Sequence, residues 1–534
     1  MTLLAEKTEM RDGARRLSIH TRDFILDHTG LTKFFDPVPR EALEAFRAAL
    51  LPRTATFGRA LQRSADRDLV GCCTGQFAIF VMQCYRAAQL VQRCRAANID
   101  VDASDSDFLS RFLRSDFTAV EQATRRILTG RPGRPAWRTP ARMIRNAFIR
   151  SPIVRHEIRP VDLQNEIVTI AVSSHLEKHA AAVDDTVCYV HPSVWYGPIE
   201  TYQGTELTPV RDGLVEVARQ AYAAVGAAFD ACSERIISRW ADSVPAAVYA
   251  RLLDLKSRKL PRRLWIGSAG PLWSRMLGHA VRADGGHVTG HDHWTSVGFF
   301  RANVKAINDY ECVDEFLALT DAQAKGLERT CRHDILVRRD KPRFGVIPGN
   351  PWLSNRNIAG NAAPATGNKV MLVINHFNGS GVAMYPDDSD YVLVDWHARL
   401  ITHLQSNGYE VILKPHPQCL YGVPDGLRSL VGGRVLLEPF GEVCGQADVL
   451  IYDFPMSTTF AEGLEGSQPI VVVEFQQDLY EPGALDMLQR RCAVVQGWKD
   501  ESGRRQVDWD ALPAAVESTR HLSDPIFFKT YLTY

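Results

Sequence analysis

The side chains best suited to chemistry stand at the ends of short apolar runs. Val411-Ile412-Leu413 leads directly into Lys414-Pro415-His416-Pro417. A buried strand there would deliver Lys414 and His416 to the carboxyl edge of a sheet, where open α/β sheets bind ligands. The two prolines stiffen the turn and fix where His416 points. His416 can donate a hydrogen bond to a phosphate or leaving-group oxygen, and Lys414 adds a point charge. The same residues also suit a rigid strand-end turn with a structural histidine.

A second apolar run, Val449-Leu450-Ile451-Tyr452, ends at Asp453, and Ser457, Thr458 and Thr459 follow where a helix should begin. Hydroxyls and free N–H groups at a helix N-terminus form an anion site. Ser457 also fits plain N-capping, with Glu462 as a capping-box partner. Alternatively, Glu462 accepts hydrogen bonds from a ribose, as carboxylates do in nucleotide sites. A third signal is the loop His376-Phe377-Asn378-Gly379-Ser380-Gly381 after a strand at 370–375. Its glycines allow backbone to approach a phosphate, with Asn378, Gly379 and Ser380 as contacts. A flexible loop is the plainer reading.

The densest histidine cluster is Gly285 to Trp294, with His287, His291, Asp292 and His293. We read it as a loop facing a cleft. His291, Asp292 and His293 are candidates for a general base on an acceptor hydroxyl. A carboxylate there could instead be a nucleophile. A structural loop and a metal site are the other readings, but no carboxylate spacing favours a metal, and none is expected.

These signals need elements to hold them. Residues 68–73 and a following helix over 77–97 read as the opening strand and helix of an α/β unit, after a helical stretch from Arg40 to Leu51. Further strands are expected at 167–172, 264–267 and 316–319, with helices at 214–241 and 272–283. Residues 331–368 hold Pro342, Pro348, Pro351 and Pro364 and little periodicity, so they read as a linker. A second unit follows: strands at 370–375, 410–414, 435–438, 449–452 and 470–473, and helices at 392–407 and 457–465. Strands alternating with helices imply mainly parallel sheets.

The totals bound the reading. At 534 residues the chain needs two or three domains. Lys+Arg and Asp+Glu are both 62, so no global field marks a nucleic-acid binder, and none is expected as a partner. Eleven cysteines without CxxC pairs suggest reduced thiols in a cytosol. The charged stretch from Met1 to Arg16 lacks the apolar core of a signal peptide. The uncharged run at 69–85 is short for a bilayer span. Between Arg131 and Arg159 there are eight arginines and one acid, Glu157. Part of this could form a basic amphipathic helix on an anionic membrane surface, draw a polyanionic acceptor, or be simply solvated.

Taken in order, Lys414-Pro415-His416-Pro417, then Ala447 to Asp453, then Ser457-Thr458-Thr459 and Glu462 resemble the donor domain of GT-B glycosyltransferases. The resemblance is to the bacterial surface-polysaccharide branch: capsule Kdo transferases, HP-motif sialyltransferases and CDP-glycerol glycerophosphotransferases. It covers roughly residues 369–480 and is patchy earlier, where 314–321 is similar to the closing strand of such N-terminal domains. It implies an α/β, GT-B-like fold of two facing Rossmann-like domains with a helical N-terminal lead-in. The expected division is a lead-in at 1–65, an acceptor domain at 66–330, a linker at 331–368 and a nucleotide-donor domain at 369–534. A last helix within Pro525 to Tyr534 would cross back to the first domain.

The resemblance also assigns roles. His416, with Pro417, would contact the donor phosphate or nucleotide. Ser457 and Thr458 would bind the donor phosphate, and Glu462 would sit near the ribose. Phe454-Pro455-Met456 departs from the Tyr-Ser-Ser of many relatives. The implied activity is transfer of a sugar from a nucleotide-activated donor, with a CMP link favoured, to a bacterial surface glycan or glycolipid. No cofactor beyond that donor is expected. The implied location is cytoplasmic, peripheral at the inner membrane through Arg131–Arg159. Alternatives are a CDP-polyol phosphotransferase, a nucleotide-sugar epimerase and a non-catalytic scaffold in polysaccharide assembly.

Overall fold

Short apolar strands separated by long helices pair in parallel, because a parallel neighbour needs a crossover of a dozen or more residues. The computed structural model of the chain follows this rule in two separate sheets. The structure describes residues 15–18, 38–96, 99–102, 108–130, 153–155, 161–293, 298–301, 306–338, 340–348, 367–374, 377, 388, 390–416, 423–476 and 479–533. The protein is α/β, with two sheet-based domains.

A small parallel pair, β1 (Arg15–Ser18) and β2 (Ile99–Asp102), stands apart from both sheets. The first large sheet contains β3 (Ile153–Arg155), β4 (Ile167–Ala171), β5 (Val187–Tyr189), β6 (Arg263–Ile266), β7 (His287–His291), β8 (Glu315–Ala318) and β9 (Arg343–Val346). Their order is β3-β5-β4-β6-β7-β8-β9, and every pair is parallel. The chain reverses direction across the sheet between β4 and β6. Around this sheet lie α1 (Arg40–Ala60), α2 (Ser64–Ala96), α3 (Ser174–Ala182), α4 (Thr208–Ala224), α5 (Ala231–Lys256), α6 (Leu272–Ala283) and α7 (Asp321–Thr330).

Several expectations are corrected here. Residues 68–73 are not a strand but part of α2. Gly71, inside the expected strand, and Gly75, just after it, serve close helix packing instead. A Cβ on Gly71 would stand 2.9 Å from Glu311 Oε1, and one on Gly75 2.0 Å from Asn308 Oδ1. The helix expected over 214–241 is two helices, because Gly226 takes a left-handed φ of 67° between α4 and α5. The stretch read as a linker carries β9, an edge strand of the first sheet. Residues 315–318 therefore do not close that sheet. The lead-in is not separate either: Leu43, Phe46 and Leu50 of α1 belong to the first domain's core, and Phe46 stacks on Tyr85 at 4.0 Å. Of the arginine-rich stretch only Ile153–Arg155 is described, as a strand; the rest lies outside the described residues.

The second sheet contains β10 (Lys369–Ile374), β11 (Glu410–Pro415), β12 (Val449–Tyr452), β13 (Ile470–Glu474), β14 (Ala493–Lys499) and β15 (Arg505–Val507). Their order is β11-β10-β12-β13-β14-β15, parallel except for the β14–β15 pair. The expected strand at 435–438 is reduced to one parallel bridge, Val435 to Leu413. Counting Val435, the order by chain position is 3-2-1-4-5-6, then antiparallel β15, which is an order of doubly wound sheets. The second domain's helices include α8 (Asp390–Ser406), α9 (Thr458–Glu465), α10 (Ala484–Gln489), α11 (Ala511–Ser518) and α12 (Ile526–Tyr531).

One hydrophobic cluster joins the domains. Phe299, Phe300, Leu317 and Ile347 of the first pack with Tyr480, Phe527 and Tyr531 of the second. Phe527 meets Phe299 edge to face at 5.1 Å, and α12 crosses back onto α7. Each buried aromatic of this kind contributes about 1.5–3 kcal/mol. No described helix is long and apolar enough to cross a membrane.

Candidate functional site

In the second sheet, neighbouring crossovers leave in opposite directions at β10 and β12. A crevice opens at their carboxyl ends for that reason. A cleft of about 290 Å³ lies there, counting the solvent at its mouth. Val373 and Ile374 of β10, Lys414 and Pro415 of β11, His416, and Phe454, Ser457 and Thr459 of the loop into α9 line it.

Strand alternation turns Lys414 inward, and it is 3% exposed. Its Nζ donates to the Pro415 carbonyl at 3.1 Å. Burial pushes the ammonium's pKa down, while the nearby carboxylates of Glu438 and Glu462 push it up. His416 is half-buried at the cleft wall.

Ser457 is the N-cap of α9. Its Oγ accepts the Phe460 amide at 3.1 Å and lies 2.8 Å from Thr459 Oγ1. Capping and cleft lining therefore coexist in one hydroxyl. Tyr452 Oη donates to the Thr459 carbonyl at 3.0 Å, tying β12 to the first turn of α9. Two expectations change. Glu462 sits in the helix's second turn, too far along for a capping box, because the N3 position is Phe460. It still acts electrostatically on Lys414. Thr458 is exposed and does not line the cleft. Pro417, Asn378, Gly379 and Ser380 lie outside the described residues.

The first sheet brings its histidines together differently. His291 is not on a loop but is the last residue of β7, and it is 1% exposed. Its Nε2 lies 2.8 Å from Nδ1 of His179 on α3, and His179 stacks on Trp265 at 4.0 Å. Burial lowers the imidazole pKa values to about 3 for His291 and about 4 for His179. Both rings are therefore neutral near pH 7, and His291 is enclosed rather than presented to a substrate. The neighbouring Asp292 is also buried. Its amide donates to Leu317 O at 2.9 Å, and its carbonyl accepts from His175 Nδ1 at 2.7 Å. His293 is half-buried beside it. Among the described residues no three His, Cys, Asp or Glu side chains converge to hold a metal.

The adjacent β6–α6 loop is pinned from below. Arg275, fully buried, donates to the carbonyls of Ala269 and Gly270 at 2.7 and 2.8 Å, and Asp309 accepts the Ala269 amide at 3.2 Å. Gly267 lets this loop touch the one after β4, because a Cβ would stand 2.2 Å from Ala171 O.

Sequence reasoning missed His175, His179, Arg275 and the buried contacts of Asp453. The histidines carried a faint signal: His175 and His179 are four apart on a short helix after a strand. Lys178, between them, is half-buried; burial pushes its pKa down, and the charge of Glu465 on α9 acts against that. The sequence matches no protein-family model and no curated protein.

Proposed function

We propose that the chain is a glycosyltransferase of the GT-B type, with two facing Rossmann-like domains. It moves a sugar from a nucleotide-activated donor, CMP-linked by preference, to a bacterial surface glycan or glycolipid. The supporting observation is the coincidence of topology and chemistry at one place. The crevice between β10 and β12 is lined by a lysine, a histidine and two hydroxyls. The matching edge of the first sheet carries buried Asp292 and Asp309 and neutral histidines. The first of these edges offers a phosphorylated donor a cation and hydroxyl donors, while at the second Arg275 is already committed to the backbone of its own loop.

In this reading Lys414 and His416 stabilise charge developing on the departing phosphate, with Ser457 and Thr459 as hydroxyl partners. His293, the half-buried member of the trio, takes the proton of the acceptor hydroxyl. His291 and Asp292, both enclosed, do not serve as that base: they support the strand end that carries His293. Closure between α3 and α9 excludes water, the competing acceptor.

A specific observation favours a second reading. The enclosure of His291 removes one nominated base, which suits a nucleotide-binding scaffold without turnover. One assay separates the two. Purified protein is incubated with CMP-, CDP-, UDP- and GDP-linked sugars and with cell-envelope glycan, and free nucleotide is followed by chromatography. Acceptor-dependent release that His293→Gln abolishes supports transfer. Nucleotide binding with no release from any donor supports the scaffold.

A further inference from the structure

Asp453 directly follows β12 and directly precedes Phe454, the first cleft residue of the loop into α9. It is buried, and its Oδ2 accepts from Trp396 Nε1 at 3.0 Å, His397 Nε2 at 2.9 Å and Arg505 Nη1 at 3.1 Å. Arg505 comes from the opposite edge of the sheet, where it opens β15. Its guanidinium lies 4.3 Å from the ring centroid of Phe475, and its Nε donates to Asp388 Oδ2 at 2.5 Å. Lys499, the last residue of β14, reaches Asp388 Oδ1 at 2.6 Å and Glu41 Oε1 of α1 at 3.3 Å. Arg40, beside Glu41, adds its field to Asp388 and to Glu474.

The planar fork of a guanidinium holds two carboxylates at fixed angles, which a lysine ammonium does not. In a buried network a missing partner leaves an uncompensated charge, so the members of this one depend on each other. The network ends at the residue from which the cleft loop departs. It begins on a helix of the other domain.

We propose that Arg505 is a positioning residue for the cleft: by holding Asp388 and Asp453 together it sets where the loop with Phe454, Ser457 and Thr459 leaves β12, and Lys499 ties that setting to the first turn of α1. The proposal rests on reading the cleft as an anion site.

The test uses inorganic pyrophosphate as the probe, with hydrogen exchange over residues 453–459 as a second readout. Arg505→Lys keeps the charge and loses the fork. Val516→Ala on α11, an apolar core change in the same domain, controls for lost stability. Arg505→Lys should weaken pyrophosphate binding about tenfold and speed exchange over 453–459, with Val516→Ala doing neither. Glu41→Gln, on an exposed side chain, should speed exchange over the same segment to a smaller extent. If Arg505→Lys behaves as Val516→Ala in both readouts, the positioning role is wrong. If Glu41→Gln leaves exchange unchanged, the tie to α1 is wrong. If Arg505→Lys does not fold, Lys499→Gln is judged on the same two readouts. If the wild type binds no pyrophosphate, the anion-site reading fails, and the exchange comparison alone decides the positioning role.

Discussion

Nδ1 of His179 and Nε2 of His291 stand 2.8 Å apart beneath the carboxyl edge of the first sheet, each in a setting that favours the neutral ring. Both folded pKa values lie below the ordinary value of 6.5. The unfolded chain therefore binds more protons than the folded one between about pH 6.5 and pH 4. The stability these rings support is present above pH 6.5 and is lost as pH falls through that window. Thermal unfolding followed from pH 7.5 to pH 4 should show this loss, up to about 1.4 kcal/mol per pH unit for each ring. His291→Gln should flatten the slope. An unchanged slope would mean the rings are not held neutral.

Ser457→Ala removes the acceptor for the Phe460 amide at the start of α9. The expected cost is about 1 kcal/mol, read as a melting point lowered by a few degrees. Ser457→Asn, which restores a capping oxygen, should recover most of that loss. If Ser457→Ala is neutral, the cap does not stabilise the helix.

Lys414→Met keeps the aliphatic stem and removes a buried charge that burial disfavours. Stability should therefore change by less than about 1 kcal/mol, because the desolvation relieved offsets the attraction lost to Glu438 and Glu462. Pyrophosphate affinity, by calorimetry, should fall about tenfold or more. A large loss of stability with unaltered affinity would make Lys414 a structural residue.

Gly75→Ala would normally strengthen an exposed helix by about 1 kcal/mol. In α2 the new Cβ meets Asn308 Oδ1, which Arg275 Nη1 holds at 2.8 Å. We expect a net destabilisation of about 1–3 kcal/mol in chemical denaturation. A stabilised variant would contradict the packing of α2 against the helical turn at Ala306–Tyr310.

Much of the second sheet was legible because its strands are buried on both faces and read as unbroken apolar runs. Val449–Tyr452 matches its expected bounds, and Lys369–Ile374 and Glu410–Pro415 differ by a residue or so. The helix Leu272–Ala283 was equally plain from its periodicity. The first sheet was harder. Residues 68–73 imitate a strand, since a short apolar run ahead of Gly75 looks like a strand end to local reasoning, whereas Gly71 and Gly75 permit close packing within α2. His287–His291 imitates a loop, since the histidine that ends it, His291, is satisfied by α3, which is more than a hundred residues away in the chain. At the cleft, Lys414, His416, Ser457 and Thr459 were legible because each sits at the end of an apolar run. Arg505 and Asp388 were not, because nothing local to β15 or to position 388 points at β12.

The central claim is that a nucleotide-activated donor occupies the cleft between β10 and β12. Calorimetric titration of the wild type and of His416→Ala with CMP, CDP, UDP, GDP and ADP tests it most directly. The account predicts that one of these nucleotides, a cytidine nucleotide by preference, binds the wild type with a dissociation constant in the micromolar to low-millimolar range. It also predicts that His416→Ala weakens binding about tenfold or more without altering the melting point of the free protein. Absence of binding by every nucleotide at millimolar concentration, or equal binding by the wild type and His416→Ala, would contradict it.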